Sequence, residues 1–356
     1  MPHRLSLVHR TAALRRRYTG ETDSTLLPAV THGIQTLSAD DRRLFHELLD
    51  TGYETRLLGE DPVPLATQRF RDALLPDTTD PVQQQLEAGV LFALGLVAPY
   101  TWPETEVIAP MPVGRMFRPG RGVEGTALHL PASSLAPMMA MLVPRLVDGR
   151  LYGLAGLRAS IHRRHIELHL ADGDPTSTVA LATTSFRLWA ATLAFARQIV
   201  GREAIIDLDS SLNAAEQALI GAGRVPGPAA LGSALLRRLR ILGGTFWLII
   251  RGDGPDGIRL DWAGGATAPQ VAAALLHPLA GLPGERFFVT RLADGCVTII
   301  ITTTTGEPTA KVTLHQAPLT APPPFVPVDA SEAWTAFRRV MDIRTPTLDD
   351  RSVLTP

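Results

Sequence analysis

In the stretch LRASIHRRHIELHL, residues 157–170, the apolar side chains occupy odd-numbered positions up to Ile161 and even-numbered positions from Ile166 onward. One straight strand would leave half of these side chains in water, because side chains alternate between the two faces of a sheet. A hairpin turning at Arg163–Arg164 removes the conflict, since directly opposed residues of antiparallel strands share a face. A longer turn or a bulge would satisfy the same parity. The predicted apolar pairs are Leu157/Leu170, Ala159/Leu168 and Ile161/Ile166.

The other face of this hairpin collects polar side chains. His165, Glu167 and His169 are two residues apart along one strand, and His162 lies across the turn. Imidazoles and a carboxylate are ligands for Zn, Fe or Mn, so a metal centre of His165, Glu167 and His169 is one interpretation. Three nearby arginines oppose a cation: Arg158, Arg163 and Arg164. We therefore interpret this face as solvated, with no metal bound.

The composition is that of an ordinary globular protein. Of 356 residues, 45% are hydrophobic and 19% are charged, and the formal net charge is -1. A charge this small gives no general attraction to nucleic acid or anionic membrane, so such binding needs a local patch. Lys311 is the only lysine, and the abundance of Arg, Ala, Gly and Pro favours a GC-rich, actinobacterial source.

Membrane and disulfide classes are not expected. The longest apolar run, residues 88–100, is shorter than the roughly 20 residues that a spanning helix needs. The single cysteine, Cys296, excludes an internal disulfide and suits a reducing compartment. We expect a cytoplasmic protein with no membrane partner.

The order of predicted elements gives an α+β protein. A helical region at 1–100 precedes a linker or long loop at 101–125, which carries several prolines and glycines. An antiparallel-sheet domain with helices packed on one face follows at 126–316. Residues 317–356 form a Pro-rich tail with a short C-terminal helix. The segment order predicts a helical N-terminal region followed by one or more antiparallel sheets.

A strand, strand, helix order occurs twice in the sheet domain. The hairpin at 157–170 leads through a further strand to a helix, and TFWLII, IRLDWA and the helix after them repeat this order. Two ββα-containing halves are one interpretation of this order, and the other is coincidence, because ββα is also a common local order. Both interpretations remain open from the sequence.

The stretch AIIDLDSSLN, residues 204–213, resembles motif I of the haloacid dehalogenase-like phosphatases. The resemblance implies that Asp207 forms an aspartyl-phosphate, that Asp209 is the general acid/base, and that magnesium bridges the phosphate and Asp207. Lys311 would supply the lysine that this family places later in the chain. The structural alternative is a short strand running into a helix with a capping box at 213–216.

Two arginine clusters are candidates for binding nucleic acid. One lies in the N-terminal helix and the other in the predicted linker, where an aromatic residue accompanies it. Arginines contact phosphates, and an aromatic ring can stack on a base. The predicted contacts are Arg10, Arg15, Arg16, Arg17, Arg115, Phe117, Arg118 and Arg121.

The function expected from these patterns is non-catalytic. No nucleotide-binding loop, zinc finger or catalytic triad signature is present in the sequence. We expect a cytoplasmic binding protein that acts through a protein or nucleic-acid partner and needs no cofactor. The alternative is a metal-dependent hydrolase using Asp207, Asp209 and Lys311.

Overall fold

The computed structural model describes residues 6–50, 68–96, 113–117, 124–182, 184–201, 205–222, 229–284, 286–291, 296–302, 307–319 and 329–341. The described helices are α1 (Leu7–Thr19), α2 (Asp23–Gln35), α3 (Ala39–Asp50), α4 (Gln68–Leu74), α5 (Pro81–Leu94), α6 (Ala132–Leu142), α7 (Phe186–Val200), α8 (Ala214–Gly221), α9 (Ala229–Leu236), α10 (Ala268–Leu275) and α11 (Ser331–Met341). The described strands are β1 (Val113–Phe117), β2 (Glu124–Leu128), β3 (Arg145–Val147), β4 (Arg150–Tyr152), β5 (Leu157–Ile161), β6 (His165–Leu170), β7 (Thr178–Ala182), β8 (Thr245–Gly252), β9 (Gly257–Gly264), β10 (Arg286–Arg291), β11 (Cys296–Thr302) and β12 (Pro308–Ala317). Helices precede mixed sheets, so the predicted α+β class is confirmed.

Capping side chains explain where two of the predicted helices begin. The carboxylate of Asp80 accepts hydrogen bonds from the backbone N–H groups of Val82 and Gln83 at 3.1 Å each, at the start of α5. The Ser38 hydroxyl accepts from the N–H of Asp41 at 3.1 Å, at the start of α3. These bonds satisfy N–H groups that no helical carbonyl can reach.

The β5–β6 hairpin has the register predicted from its parity. Leu157 lies opposite Leu170, and every apolar residue of the two strands points to the same face. Burial alternates along β6, with its apolar residues buried and its polar residues half-buried. The backbone N–H of His162 donates to the carbonyl of His165 at 3.0 Å, so the turn lies at Arg163–Arg164 as predicted.

Two five-stranded sheets share one topology. The first sheet has the order β1-β2-β7-β6-β5 and the second, read in the same direction, β8-β9-β12-β11-β10. Each sheet contains one parallel pair, β2–β7 or β9–β12, among otherwise antiparallel neighbours. Apart from β3 and β4, which occur only in the first half among the described residues, each half therefore runs strand, strand, helix, three strands, helix. The segment β8–β9–α10 corresponds to β1–β2–α6, and not to the hairpin with which the sequence pattern had aligned it.

The two halves divide the chain differently from the sequence-based segmentation. Residues 113–117 and 124–125, predicted as linker, belong to strands β1 and β2, and the rest of 101–125 lies outside the described residues. Helix α5, assigned to the N-terminal region, packs against α9. Helix α11, assigned to the tail, packs against α7, where the rings of Trp334 and Phe195 are 4.4 Å apart. Both helices are therefore parts of the sheet domain.

One hydrophobic core serves both sheets. Its largest cluster of buried side chains includes residues from strands of each sheet and from α5, α6, α7, α9, α10 and α11. Trp262 on β9 is fully buried within it and donates its indole N–H to the carbonyl of Ala266 at 3.0 Å. A shared core of this kind makes the two halves one cooperative unit rather than two independent domains.

Glu87, in the middle of α5, is fully buried and bound by four side chains. Arg237 donates to both carboxylate oxygens, at 2.7 and 2.6 Å. Ser233 donates at 2.5 Å and Gln83 at 2.7 Å, and Thr126 on β2 donates as well. Every lone-pair direction of the carboxylate is therefore used, and α5, α9 and β2 are joined at one point.

The N-terminal helices dock on the loop that follows α10. Arg71 in α4 donates to the carbonyl of Gly281 at 2.6 Å, and the Tyr18 hydroxyl in α1 donates to that of Ala274 at 2.9 Å. Arg238 donates to the carbonyl of Ala280 at 2.7 Å. The bonds to Gly281 and Ala280 satisfy carbonyls of irregular chain, and the bond to Ala274 reaches the last turn of α10, so side chains hold the loop where no sheet does.

His277 organises the same loop from within. Its Nδ1 accepts hydrogen bonds from the backbone N–H groups of Leu279 and Ala280 at 3.1 and 3.2 Å. Burial, reinforced by Arg17 and Arg71, lowers the pKa of His277 from 6.5 to about 3. The ring is therefore neutral wherever the folded protein holds these two bonds.

Removing Arg237 should destabilise the protein strongly. Arg237→Ala leaves the Glu87 carboxylate buried without its charge partner, and such losses cost about 3–5 kcal/mol in free energy of unfolding. The matched control is Arg43→Ala, which removes an ion pair with Asp40 at the surface and should cost less than about 0.5 kcal/mol. Urea unfolding of both variants measures the difference. Equal costs would show that the Glu87 network does not hold the fold together.

Acid should weaken the fold through His277. Its unfolded pKa is 6.5 and its folded pKa about 3, so the unfolded state binds an extra proton between these values. Stability is complete above the unfolded pKa and is lost as pH falls, by at most about 1.4 kcal/mol per pH unit. His277→Asn keeps an acceptor near Nδ1 without the titration, so its stability should fall less between about pH 6 and pH 4. An unchanged slope, equal to that of the exposed control His129→Asn, would contradict this assignment.

Candidate functional site

The polar face of the β5–β6 hairpin holds a compact group of three side chains. The Nε2 atoms of His162 and His165 lie 3.2 and 3.1 Å from the two carboxylate oxygens of Glu167. The two imidazole rings stack, with centroids 4.6 Å apart and planes 12° from parallel. The three donor atoms all lie within 4.8 Å of one another. The predicted register thus places His162 beside its partners across the turn.

His169 does not belong to this group, although it shares the face. It lies one step further along β6, opposite Arg158 on β5. Burial, together with the nearby Arg158, lowers the pKa of His169 below its usual value. The ligand set considered from the sequence, His165, Glu167 and His169, is therefore not the set that the fold brings together, because His162 takes the place of His169.

A cleft of about 580 Å³ lies beside this group and shares Glu167 with it. Its wall also contains His169 and Asp209, so the two candidate motifs of the sequence border the same cavity. The segment that carries Asp209 runs along the outer edge of β5, where the N–H of Ala159 donates to the carbonyl of Leu208 at 3.1 Å. The cleft is lined by groups of both charges, which favours a polar occupant.

A buried ion pair fixes the floor of the cleft. Arg158 donates to both oxygens of Glu216, at 2.9 and 2.8 Å, and Glu216 also accepts from the N–H of Gly156. Burial opposes ionisation of Glu216, but these bonds and one to Asn213 outweigh it and lower its pKa. Asn213 and Glu216 form the capping box of α8. The capping box that the sequence offered as the alternative to a phosphatase motif is therefore present.

The residues of the phosphatase resemblance do not converge. Asp207 is exposed beside the first sheet, whereas Lys311 lies on β12 of the second sheet and binds Asp253 at 2.9 Å. Only Asp209 lines the cleft. A nucleophile and a phosphate-binding lysine must face one reacting centre, and this separation gives that chemistry no support.

Arg15, predicted to contact nucleic acid, is buried. It donates to both carboxylate oxygens of Glu21 at 2.8 and 3.0 Å, and also to the carbonyl of Leu74. Only 1% of its surface is exposed. Arg15 therefore joins α1 to α4 inside the protein and is not available to an external phosphate.

The other predicted nucleic-acid contacts give a reduced surface cluster. Arg10 binds His46 at 2.9 Å, Arg16 forms an ion pair with Asp23, and Arg17 is exposed. Arg115 and Phe117 lie in β1, and Arg118 and Arg121 lie outside the described residues. Carboxylates of the protein itself neutralise Arg15 and Arg16, which reduces the positive charge available to attract a nucleic acid.

A hairpin that we did not predict projects between α6 and β5. It consists of β3 and β4, which form a two-stranded sheet, and Arg145 of β3 also makes an isolated antiparallel bridge to Ile205. Its turn has φ values of 49° at Asp148 and 73° at Gly149, and Asp-Gly is the dipeptide that favours such a turn. That dipeptide was therefore a usable signal in the sequence. Leu146, Val147 and Tyr152 are 37%, 39% and 45% exposed on this hairpin.

The base of the β3–β4 hairpin is firmly attached. The N–H of Ile206 donates to the carbonyl of Pro144 at 2.9 Å, and Arg145 donates to the end of α6. Gly153 has φ 78°, and a Cβ there would lie 2.2 Å from the carbonyl oxygen of Val143. The hairpin is therefore held in one orientation although its apolar side chains lie in water.

A charged network lies on the outer face of the second sheet. Asp261 on β9 accepts from Arg259 at 2.9 Å and contacts His315 at 2.8 Å and Arg251 at 3.2 Å. Burial would raise the pKa of Asp261, but these partners outweigh it and lower it. The opposite charges satisfy one another, so we interpret this network as structural.

Comparison with known proteins assigns no family: no family model, curated protein or solved structure matches the chain. Among the described helices, none has both the length and the hydropathy that crossing a bilayer requires. Function must therefore be inferred from the residues of this chain.

Proposed function

We propose that this protein is a non-catalytic binding protein that docks a protein partner on the β3–β4 hairpin. The observation that carries this proposal is the exposure of Val147 and Tyr152 on one face of a short, anchored hairpin. The register pairs Arg145 with Tyr152 and Val147 with Arg150, so these four side chains lie on the same face. Large apolar side chains concentrated at the surface mark interaction sites more often than isolated ones do.

The composition of the hairpin suits a protein surface. Tyrosine and arginine are enriched at the energetic centres of interfaces, and Tyr152 packs beneath Arg145, with the guanidinium carbon 5.8 Å from the ring centre. A hairpin already held in its binding orientation loses little conformational entropy on association. Arg150 adds a charge at the rim.

The position of the hairpin in the repeat also supports a specific role. It is an addition to the first half, because the described residues between α10 and β10, 276–284, contain no strand. The framework that both halves share does not need such an element to close its sheet. Binding of a partner therefore explains the exposed apolar residues of the β3–β4 hairpin better than a role in stabilising the fold does.

The alternative functions have less support. The hydrolase proposal needs Asp207, Asp209 and Lys311 at one centre, but Lys311 binds Asp253 on the other sheet. The nucleic-acid proposal depended on an arginine cluster of which Arg15 is buried. A protein partner remains the proposal that the described geometry supports best.

Crosslinking from the hairpin tests this function. A photoreactive residue placed at Val147 or Tyr152, in cells that naturally contain the protein, should capture one defined partner. The same residue at Phe288, 55% exposed on the second sheet, serves as the control and should not capture it. Equal capture from both surfaces would reject the hairpin as the docking element.

Affinity for that purified partner supplies the second measurement. Val147→Ser combined with Tyr152→Ser should weaken binding at least about tenfold, since truncating interface anchors costs upwards of about 1.4 kcal/mol. Stability should change little, because exposed substitutions usually cost less than about 0.5 kcal/mol each. Phe288→Ser is the matched control. An unchanged Kd in the hairpin variant would contradict the proposal.

A further inference from the structure

We propose that His162, His165 and Glu167 form a binding site for one divalent transition-metal ion, for which zinc is the favoured occupant. The site is distinct from the β3–β4 hairpin, and it does not depend on the proposed partner. It rests on the convergence of three ligand atoms, all within 4.8 Å of one another.

The spacing of these atoms suits coordination. Metal–ligand bonds of about 2.0–2.1 Å in a tetrahedral site correspond to ligand–ligand edges of roughly 3.3–3.4 Å. The Nε2 atoms of His162 and His165 lie 3.2 Å from Oε2 and 3.1 Å from Oε1 of Glu167, respectively, so both imidazoles are within ligand–ligand range of the carboxylate. Each imidazole already directs Nε2 at a different oxygen of the same carboxylate. A metal bond at Nε2 needs the unprotonated nitrogen, so an Nε2 proton would move to Nδ1 or leave to solvent as the ion binds.

The donor types select the class of metal. Two imidazole nitrogens and one carboxylate oxygen are ligands typical of zinc and of divalent iron or manganese, whereas calcium and magnesium prefer sites built from oxygen. Three protein ligands leave at least one coordination position for water. His162 is 44% exposed and His165 24% exposed, so an ion has direct access from solvent.

The fold holds two of the three ligands rigidly. His165 and Glu167 lie on β6, which pairs with β5 on one side and β7 on the other. The register of that strand is set by its buried apolar residues, since a one-residue slip would turn the ligands inward. Only His162 lies in the turn, where it can adjust to the ion. Ligands on a regular element give a more precise site than ligands on a loop.

The charge of the surroundings permits a cation. The nearest arginine of the framework, Arg158, is bound through both sides of its guanidinium by Glu216, so its charge is balanced within the protein. Arg163 and Arg164 are exposed in the turn, where water and salt screen them. From the sequence, Arg158, Arg163 and Arg164 were expected to repel a cation. In the structure, Glu216 neutralises the buried one of the three, Arg158.

Zinc titration of the protein, prepared without a polyhistidine tag and stripped with chelator, tests the site. Calorimetry should show one zinc ion bound per chain, and cobalt should give the visible absorption bands of a low-symmetry protein site. His165→Gln and Glu167→Gln should each weaken zinc binding at least about 100-fold. His169→Gln, on the same face of the same strand, is the matched control and should bind as the original protein does.

Each result decides the proposal. His162→Gln changes only the turn, and it should also weaken zinc binding. This variant keeps the test valid if His165→Gln or Glu167→Gln, which change the strand, fails to fold. Circular dichroism of each variant identifies such a failure. Absence of stoichiometric zinc binding in the folded original protein would overturn the site. Binding that survives His162→Gln and His165→Gln together, or that His169→Gln removes, would overturn the assigned ligands.

Discussion

The buried ion pair between Glu87 and Arg237 is the constraint on which the architecture depends. It joins α5 and the end of α9, and through Thr126 it reaches β2 of the first sheet. An ionised carboxylate inside a core is tolerable only when a cation and further donors surround it. These three elements must therefore assemble together, and the shared core of the two sheets forms around that assembly.

Paired arginines serve the same purpose elsewhere in the molecule. Arg15 binds Glu21, Arg158 binds Glu216, and Arg238 binds Asp77 at 2.6 and 3.0 Å. Burial opposes the charge of Asp77, but Arg238 and Arg71 outweigh it and lower its pKa. The planar guanidinium can bind a carboxylate and backbone carbonyls at once, so each pair fastens irregular chain that has no sheet partner.

The proposed metal site and the β3–β4 hairpin are not needed to build the two sheets. The repeated topology accounts for both five-stranded sheets, and the polar group on β6 and the β3–β4 hairpin lie outside what it requires. One offers nitrogen and oxygen ligands on a rigid strand, and the other offers apolar side chains on a rigid hairpin. The two proposals, metal binding and partner docking, therefore rest on separate residues, and each can be tested without the other.

Local patterns allowed the sequence by itself to determine the α+β class and the β5–β6 register, because side-chain alternation acts over a few residues. The same register placed His162, His165 and Glu167 on one face. Only the tertiary structure decided that Arg15 lies inside, that Lys311 pairs with Asp253, and that α5 and α11 pack against α9 and α7 of the sheet domain. Those outcomes depend on which distant segments share a core and which carboxylate each arginine meets, and no short-range periodicity encodes such long-range pairing.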